Sequence, residues 1–464
     1  MKVLLVEPKY GYKEALPLIP IGKGYLAAVI RREQGFEVKI IDNALHAYDE
    51  KTLIKLIEEF GPDIIGTGGM TLQINDTIKI AGLIRKLYRS DVLLVGGGVH
   101  LTIIPDDGID LFDFIVLGEG EDTFLELCKR YKETGGDKDK RFYKDIPGLC
   151  FKYQDGEIVK TGYRGFISDL DKLPLPAYDL LEVEKYNDFL ITGERAISIM
   201  TGRGCPFDCE FCASPYLTQR KVRYFSLGYT FRLIEYLIER YGFKNFRIMD
   251  DTFALNKKRV IEFCNQIRKR ALKLNMTCLT HVNTANPEML KKMKEAGFSI
   301  VAFGIESGNN EILKLVNKGI TQEMAIKAIK DAIKAGLSVE GLFMIGNIGE
   351  TKETIEDTIC FAKKYNPPYN SFRRTGYNWF QFATPFPGSR FFIKAKDYGE
   401  VISFNYDDYS HQIPIFVPRG LNAETMITLR EKALEETNMP PNWFFRRIFS
   451  TADRLKRILL QRTL

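Results

Sequence analysis

The sequence predicts an α/β protein: an N-terminal doubly wound, Rossmann-like sheet, then a partial (β/α)6 barrel of TIM type, then a small, mostly helical C-terminal region. Three observations carry this. Short β-branched apolar runs alternate with helical patterns through residue 141. The alternation breaks at a proline-stiffened connector, 170–178, and resumes at residue 196 with longer spacing. Beyond 391 periodicity weakens until one good helix at 423–436. The expected divisions are therefore a first domain over 1–141, a linker with a hairpin over 142–194, the barrel over 195–390, and a C-terminal region over 391–464.

In the first domain, strands are expected over 2–6, 37–41, 63–66, 92–95 and 112–117, with helices such as 52–60 and 75–88 between them. Sheets of this kind bind ligands at the carboxyl ends of their strands, near the switch in strand order. The loops there are rich in glycine: Gly66-Thr67-Gly68-Gly69-Met70-Thr71, Gly96-Gly97-Gly98-Val99-His100, and Gly118-Glu119-Gly120-Glu121. Glycine lets a backbone approach a ligand closely, so three such loops on one edge point to a large, flat ligand. A nucleotide or flavin suits that pattern equally well. No G-x-G-x-x-G opens the first helix, which makes dinucleotide binding the weaker choice. In the linker, 148–159 reads as a hairpin across Asp155-Gly156.

A chain of 464 residues predicts about three domains. No apolar run approaches the ~18 residues of a membrane span, and Glu7-Pro8 cut the first run too short for a signal sequence. A cytoplasmic protein is expected. Eight cysteines in so long a chain are no disulfide framework. Cys128, Cys264 and Cys360 fall in helical patterns and Cys150 and Cys278 in strand-like runs, and core filling is the favoured reading for all five. The net charge of +6 is spread along the chain and gives no nucleic-acid footprint.

The other three cysteines, Cys205, Cys209 and Cys212, lie within eight residues as C-x3-C-x2-C, after the apolar run 196–200. Thiolates are the ligands of iron–sulfur clusters. A four-iron cluster on this loop keeps one iron without a protein ligand. Structural zinc is the alternative, but such sites are closed by four ligands, and no fourth Cys or His lies nearby. Barrel strands are expected over 196–200, 245–249, 276–280, 299–303, 339–345 and 378–382, with helices such as 229–241, 257–274 and 322–335. Chemistry in barrels sits at the carboxyl ends of the strands. There the sequence places the three cysteines, Asp250-Asp251-Thr-Phe, His281-Val-Asn283, Gly304-Ile-Glu306-Ser307-Gly308, Gly346-Asn-Ile-Gly-Glu350 and Thr384-Pro-Phe-Pro-Gly-Ser389. Singly, each has a structural explanation: carboxylates favour helix starts, and Glu306 and Glu350 could be turn residues. Six polar clusters at six successive strand ends are harder to explain that way.

C-x3-C-x2-C with Phe211 before its last cysteine resembles the radical S-adenosylmethionine (SAM) enzymes, over residues 196–390. The segment from Pro20 to Ala28, with Asp63–Gly66, Gly97-Gly-Val-His100 and Gly118-Glu-Gly-Glu121, resembles the cobalamin-binding domain of the B12-dependent members. The resemblance implies that Cys205, Cys209 and Cys212 are catalytic as ligands of a [4Fe-4S] cluster. It implies that SAM is bound by Phe211, Asp250, Asp251, His281, Glu306, Ser307, Gly346 and Glu350. It places cobalamin on Gly22, Tyr25, Thr67, Gly68, Met70, Thr71, Gly97, Gly98, His100, Gly118, Glu119 and Gly120. Two departures stand out. Asn347-Ile348 replaces a common Leu-Pro pair, and Asp42-Asn-Ala-Leu-His46 lacks the spacing and glycine of the cobalt-ligating Asp-x-His-x-x-Gly. Cobalamin is thus expected without protein histidine ligation, and His46 as a polar surface residue.

The family's activity would be methylation of an unactivated carbon of a small-molecule or lipid-like substrate, with an external electron donor such as flavodoxin or ferredoxin. Radical cyclisation or rearrangement without methyl transfer is the alternative. A methylthiotransferase would carry a further cysteine-held cluster in its first domain, and no Cys precedes Cys128. From another class, a cobalamin-binding regulator with an inactive barrel is disfavoured by the intact cysteine triad. The basic, aromatic stretch 443–460 suits a final helix packed on the barrel. It would also suit a helix lying peripherally on an anionic membrane.

Overall fold

The computed structural model describes residues 1–11, 17–89, 91–186, 188–189, 195–366 and 377–438. The expected helix at 443–460 lies outside them. The chain divides into two compact units, Met1–Asn187 and Asp188–Leu464.

The first unit runs β1 (Lys2–Glu7), α1 (Ile21–Arg31), β2 (Glu37–Asp42), α2 (Asn43–His46), α3 (Glu50–Phe60), β3 (Ile64–Gly68), α4 (Ile74–Leu87), β4 (Leu93–Gly97), α5 (Gly98–Ile103), β5 (Phe114–Val116), α6 (Gly120–Glu133), β6 (Leu149–Lys152) and β7 (Ile158–Lys160). Sheet order is β2-β1-β3-β4-β5-β6-β7, and the first five strands are parallel. Val3–Val6 and Ile64-Ile65 are fully buried because helices cover both faces, as parallel strands require. The hairpin is not a free linker element. Its strand β6 pairs antiparallel with β5, Ile115 beside Cys150, and so extends this sheet. Order reverses between β1 and β3, which puts the ligand edge at the loops after β1, β3, β4 and β5.

Two of the glycines there serve the protein itself. A Cβ on Gly68 (φ +146°) would lie 2.0 Å from Gly97 O, and one on Gly98 (φ +87°) 2.7 Å from Gly69 N. The loops after β3 and β4 interlock backbone to backbone.

The second unit opens with an edge strand, β8 (Asp188–Phe189), and β9 (Arg195–Ile199). The short antiparallel pair β10 (Gly202–Arg203) and β11 (Arg223–Tyr224) follows, with α7 (Ser214–Thr218) between its strands. Then come α8 (Leu227–Tyr241), β12 (Asn245–Ile248), α9 (Lys257–Lys269), β13 (Asn275–His281), α10 (Pro287–Glu295), β14 (Phe298–Glu306), α11 (Asn310–Leu315), α12 (Gln322–Lys334), β15 (Ser338–Ile345), α13 (Lys352–Tyr365) and β16 (Tyr377–Phe382). The remainder is α14 (Arg390–Tyr398), the pair β17 (Gly399–Val401) and β18 (Phe416–Pro418), and α15 (Ala423–Thr437). Strand order β16-β15-β14-β13-β12-β9-β8, six of them parallel and in chain sequence, is a partial (β/α)6 barrel.

Two expectations change. The helix expected over 257–274 ends at Lys269, because Ala271 takes φ +51° and turns the chain out of the helix. Cys360 is exposed: α13 buries Ile355, Thr358, Ile359 and Ala362, leaving position 360 on the outer face. Cys128, Cys150, Cys264 and Cys278 are buried.

Replacing Gly68 by Ala should lower the urea midpoint of the first unit by the equivalent of at least about 2 kcal/mol, since a strained φ and a backbone clash coincide.

Candidate active site

The cysteine loop is a closed structure. Its ends are joined by the β10–β11 pair, Gly202 beside Tyr224 and Arg203 beside Arg223. It is entered through Gly204, whose Cβ would lie 2.0 Å from Lys221 O. Within it, Cys212 N–H donates to Cys209 O (3.2 Å). Ser214 N–H donates to Cys212 Sγ (3.4 Å), and Cys205 Sγ lies 3.6 Å from Thr252 Oγ1.

Its middle is clamped from two distant segments. Glu210 N–H donates to Val316 O (3.0 Å), and Asn317 Nδ2 to Asp208 O (2.7 Å). From the start of α14, Arg390 donates to Asp208 Oδ2 (2.8 Å) and Asp208 O (2.6 Å), with Nε 2.9 Å from Glu210 Oε1. Phe391 N–H reaches Glu210 O (2.9 Å). Phe211 packs on the buried cluster of Met344, Ile348, Ala383, Phe391, Ala395 and Phe416.

All three thiols are free. Burial pushes Cys209 up to about 11 and Cys212 up to about 12, so bare they are neutral thiols. Coordinated metal supplies the charge that makes such thiols thiolates. Among the described residues no three His, Cys, Asp or Glu side chains converge on a single ion. A cluster asks for no such convergence, because each iron takes its own thiolate. The donor set fits a cluster.

Beneath the loop lies an ion pair of which sequence reasoning found the acid, Glu306, and missed the base, Lys318. Lys318 Nζ bonds to Glu306 Oε1 at 2.7 Å, both residues buried. Burial works to lower the Lys318 pKa, but the Glu306 carboxylate outweighs it and holds it high. The ammonium stands 5.6 Å from the Phe211 ring centroid. Glu306 takes φ +70°. A Cβ on Gly304 would fall 2.7 Å from Glu306 Oε1 and 2.9 Å from Lys318 Nζ. The signal available was a lysine twelve residues past a strand-end glutamate, too common to single out.

The other expected SAM residues divide. Asp251 stays exposed, its Oδ2 3.3 Å from Ser214 Oγ. His281 is buried and stacks on Phe207 of the cysteine loop, ring centroids 3.6 Å apart. Burial and the Lys318 charge push its pKa down to about 3. It is a neutral ring that accepts from Asn283 N–H at Nδ1 (3.2 Å) and donates from Nε2 to Lys318 O (3.1 Å).

Asp250, Ser307 and Glu350 are turned inward. Thr201 donates its N–H to Asp250 Oδ1 (2.6 Å) and its hydroxyl to Oδ2 (2.5 Å), tying the tips of β9 and β12 together. Burial still lifts that carboxyl to about 6. Ser307 Oγ meets Thr358 Oγ1 at 3.1 Å. Glu350 Oε2 accepts from Gly346 N (2.6 Å) and Asn347 N (2.9 Å), shaping the turn after β15, and burial lifts it to about 7.

At the ligand edge of the first unit, a Cβ on Gly22 would meet nothing within 4 Å, and Met70 and Val99 are exposed. Gly97, Gly118, Glu119 and Gly120 are partly exposed nearby in sequence. Tyr163, 53% exposed, adds an aromatic face beside Gly118 that the sequence did not flag. An apolar rim over glycine backbone fits a broad, flat cofactor such as a corrin ring. Tyr25, Thr67 and Thr71 are buried beneath it, and Thr67 Oγ1 donates to Val6 O (3.1 Å). His100 is buried, with Nε2 2.7 Å from Asp107 Oδ2 and Nδ1 3.2 Å from Thr71 Oγ1. His46 pairs with Glu182. Both histidines of this unit are engaged by the protein.

Arg390→Ala should leave the fold intact but loosen the clamp. Anaerobic reconstitution should then load less than half the wild-type iron, while Arg390→Lys recovers part of it, as iron analysis would show.

Residues 199–362 match the Radical SAM superfamily and residues 13–128 the B12 binding domain. The chain is 34% identical to an uncharacterized methyltransferase, PH0819, of Pyrococcus horikoshii, over 97% of this chain and 95% of that protein. It is 30% identical to the anaerobic magnesium-protoporphyrin IX monomethyl ester cyclase of Rubrivivax gelatinosus, over 91% of this chain and 74% of the relative. Its fold is that of the radical SAM methyltransferase TsrM from Kitasatospora setae, solved with cobalamin and a [4Fe-4S] cluster bound (TM-score 0.71, 17% identity, covering 95% and 91% of the two chains). With both domains matched in order and a relative this similar along nearly its whole length, the chain belongs to the radical SAM enzymes that carry an N-terminal B12-binding domain.

Proposed function

We propose that the chain is a cobalamin-dependent C-methyltransferase acting on an unactivated carbon of a small molecule. The observation that carries this reading is one chain holding both a clamped three-thiol loop at a barrel mouth and a glycine-floored, apolar-rimmed sheet edge. Similarity to a named methyltransferase over 95% of its length supports it. Cys205, Cys209 and Cys212 would hold the cluster, and Phe211, Asp251 and Glu306 would border SAM. Asp250, His281, Ser307, Gly346 and Glu350 keep the strand tips in position. In the first unit, Gly22, Met70, Gly97, Gly118, Glu119 and Gly120 would meet cobalamin, backed by Tyr25, Thr67, Gly68, Thr71, Gly98 and His100. Bound there, these groups supply one-electron cleavage of SAM and a transferable methyl group. The chain's own work is to position the three thiols on a clamped loop, hold Lys318 and Glu306 in place, and brace the strand tips around them. The electron comes from an external donor of flavodoxin or ferredoxin type.

The similarity to a cyclase favours one second reading, radical ring closure without methyl transfer. Product counting separates the two. Methyl transfer gives S-adenosylhomocysteine and 5′-deoxyadenosine in about equal amounts per product, whereas cyclisation yields no S-adenosylhomocysteine. Cys209→Ala should abolish both products and the cluster's EPR signal, yet retain the visible spectrum of bound cobalamin.

No described helix is long and apolar enough to cross a membrane. The basic, aromatic sequence 443–460 supports peripheral contact with an anionic membrane, suited to a lipid-like substrate. Salt-sensitive co-sedimentation with anionic liposomes, lost on deleting 443–464, is the expected result, and no binding at low salt would end the idea.

A further inference from the structure

Asp208 and Glu210 flank Cys209 in the chain, and both carboxylates are matched from outside the loop. Arg390 Nη1 lies 2.8 Å and Arg220 Nη1 3.6 Å from Asp208 Oδ2. Arg390 Nε lies 2.9 Å from Glu210 Oε1, and Lys394 Nζ 3.5 Å from Oε2. Two acids thus meet three cations, and the surplus is positive. It reaches water: the side chains of Arg220, Arg390 and Lys394 are 58%, 38% and 45% exposed.

Apolar groups stand among these charges. Ile393 follows Arg390 by one helical turn and precedes Lys394, so it lies on the face of α14 that addresses the loop. It is 79% exposed. Leu315 is also exposed and precedes Val316, whose carbonyl accepts from Glu210 N–H. The one acid of α14, Asp397, stands a further turn along. The return of the cysteine loop is strained as well. Gln219 and Arg220 take successive left-handed conformations, φ +49° and +57°, which side chains other than glycine rarely adopt. Strain of this kind persists where the surroundings fix it and gathers at functional sites. Here it accompanies the placing of Arg220 beside Asp208.

Exposed apolar side chains within a cationic rim are the anatomy of a docking surface for an acidic protein. The chain's own longest undescribed stretches do not suit it. Residues 367–376 carry Arg373 and Arg374 and no acid, and 439–464 carry six Lys and Arg against Asp453 alone. Like charge repels both. The position of the surface points to its use, since its centre is the segment that carries a cluster thiol. Electron transfer falls off steeply with distance, and complexes that perform it are held by small interfaces.

We propose that this surface docks an acidic, protein-borne one-electron carrier, and that the electron enters through Asp208-Cys209-Glu210. The carrier loses one electron and the oxidised cluster gains it, with no bond or proton changing hands. The proposal rests on the cluster assignment and is indifferent to which of the two reactions follows.

Full-length, anaerobically reconstituted protein would be titrated calorimetrically with oxidised flavodoxin. Cluster reduction would be followed by freeze-quench EPR, once with reduced flavodoxin and once with a small zwitterionic viologen. Ile393→Glu and Arg220→Gln should each weaken flavodoxin binding, and slow reduction by it, at least about tenfold. Iron content and the viologen rate should stay unchanged, and added salt should weaken wild-type binding steeply. If Arg220→Gln lost iron, Ile393→Glu, which lies outside the loop, would decide alone. No flavodoxin binding by the wild type, wild-type kinetics in Ile393→Glu, or equal slowing with the viologen would each overturn the proposal. So would loss of anionic-liposome binding in Ile393→Glu with flavodoxin binding intact, which would make the face a membrane contact. Salt-sensitive flavodoxin binding by protein that takes up no iron would retain the surface and remove the cluster assignment instead.

Discussion

Lys318 and Glu306 lie 2.7 Å apart with almost no exposure to water, and the barrel mouth is arranged around keeping them so. Taking two charges out of water costs several kcal/mol each unless geometry and extra hydrogen bonds compensate, and stripping one partner from such a pair typically costs about 3–5 kcal/mol. Compensation comes from several directions. Gly304 leaves out the Cβ that would collide with both groups. Glu306 accepts a left-handed backbone to bring its carboxylate back over the strand. His281 holds the Lys318 carbonyl, and the Phe211 ring faces the ammonium. The glycine and the acid of Gly304-Ile-Glu306 are therefore one device: the glycine is the space the ion pair occupies.

Both units place their chemistry by the same rule. A parallel sheet covered by helices offers only its strand ends to a ligand. In the first unit that edge is floored by glycine backbone and rimmed by Met70, Val99 and Tyr163. In the second it carries thiols, carboxylates and an imidazole. One suits a broad, flat group and the other a polar one, and the matched families bear out that division.

Much of this was legible in the sequence because strand periodicity and cysteine spacing are local. The six barrel strands lie where their apolar runs stand, and the three thiols were unmistakable. What pattern cannot show is which way a strand-end side chain turns. Asp250, Ser307 and Glu350 are at strand tips as expected, yet Asp250 is taken by Thr201, Ser307 by Thr358 and one oxygen of Glu350 by the Gly346 turn. Gly68 and Gly98 read as ligand-facing but are required by the contact between their own loops. Lys318 and Arg390 escaped because their meaning depends on partners 12 and 182 residues away.

That last separation bears on how the protein is made. Asp208, in the middle of the cysteine loop, leaves the ribosome 182 residues ahead of the arginine that clamps it, and the strands β12–β16 all lie between. Domains are completed as units during synthesis, at about 5–20 residues per second. For roughly ten seconds or more, therefore, the nascent cysteine loop exists without its clamp, as an open thiol segment accessible to delivery of iron and sulfide and equally to oxidants. Emergence of α14 marks the moment at which it can be locked.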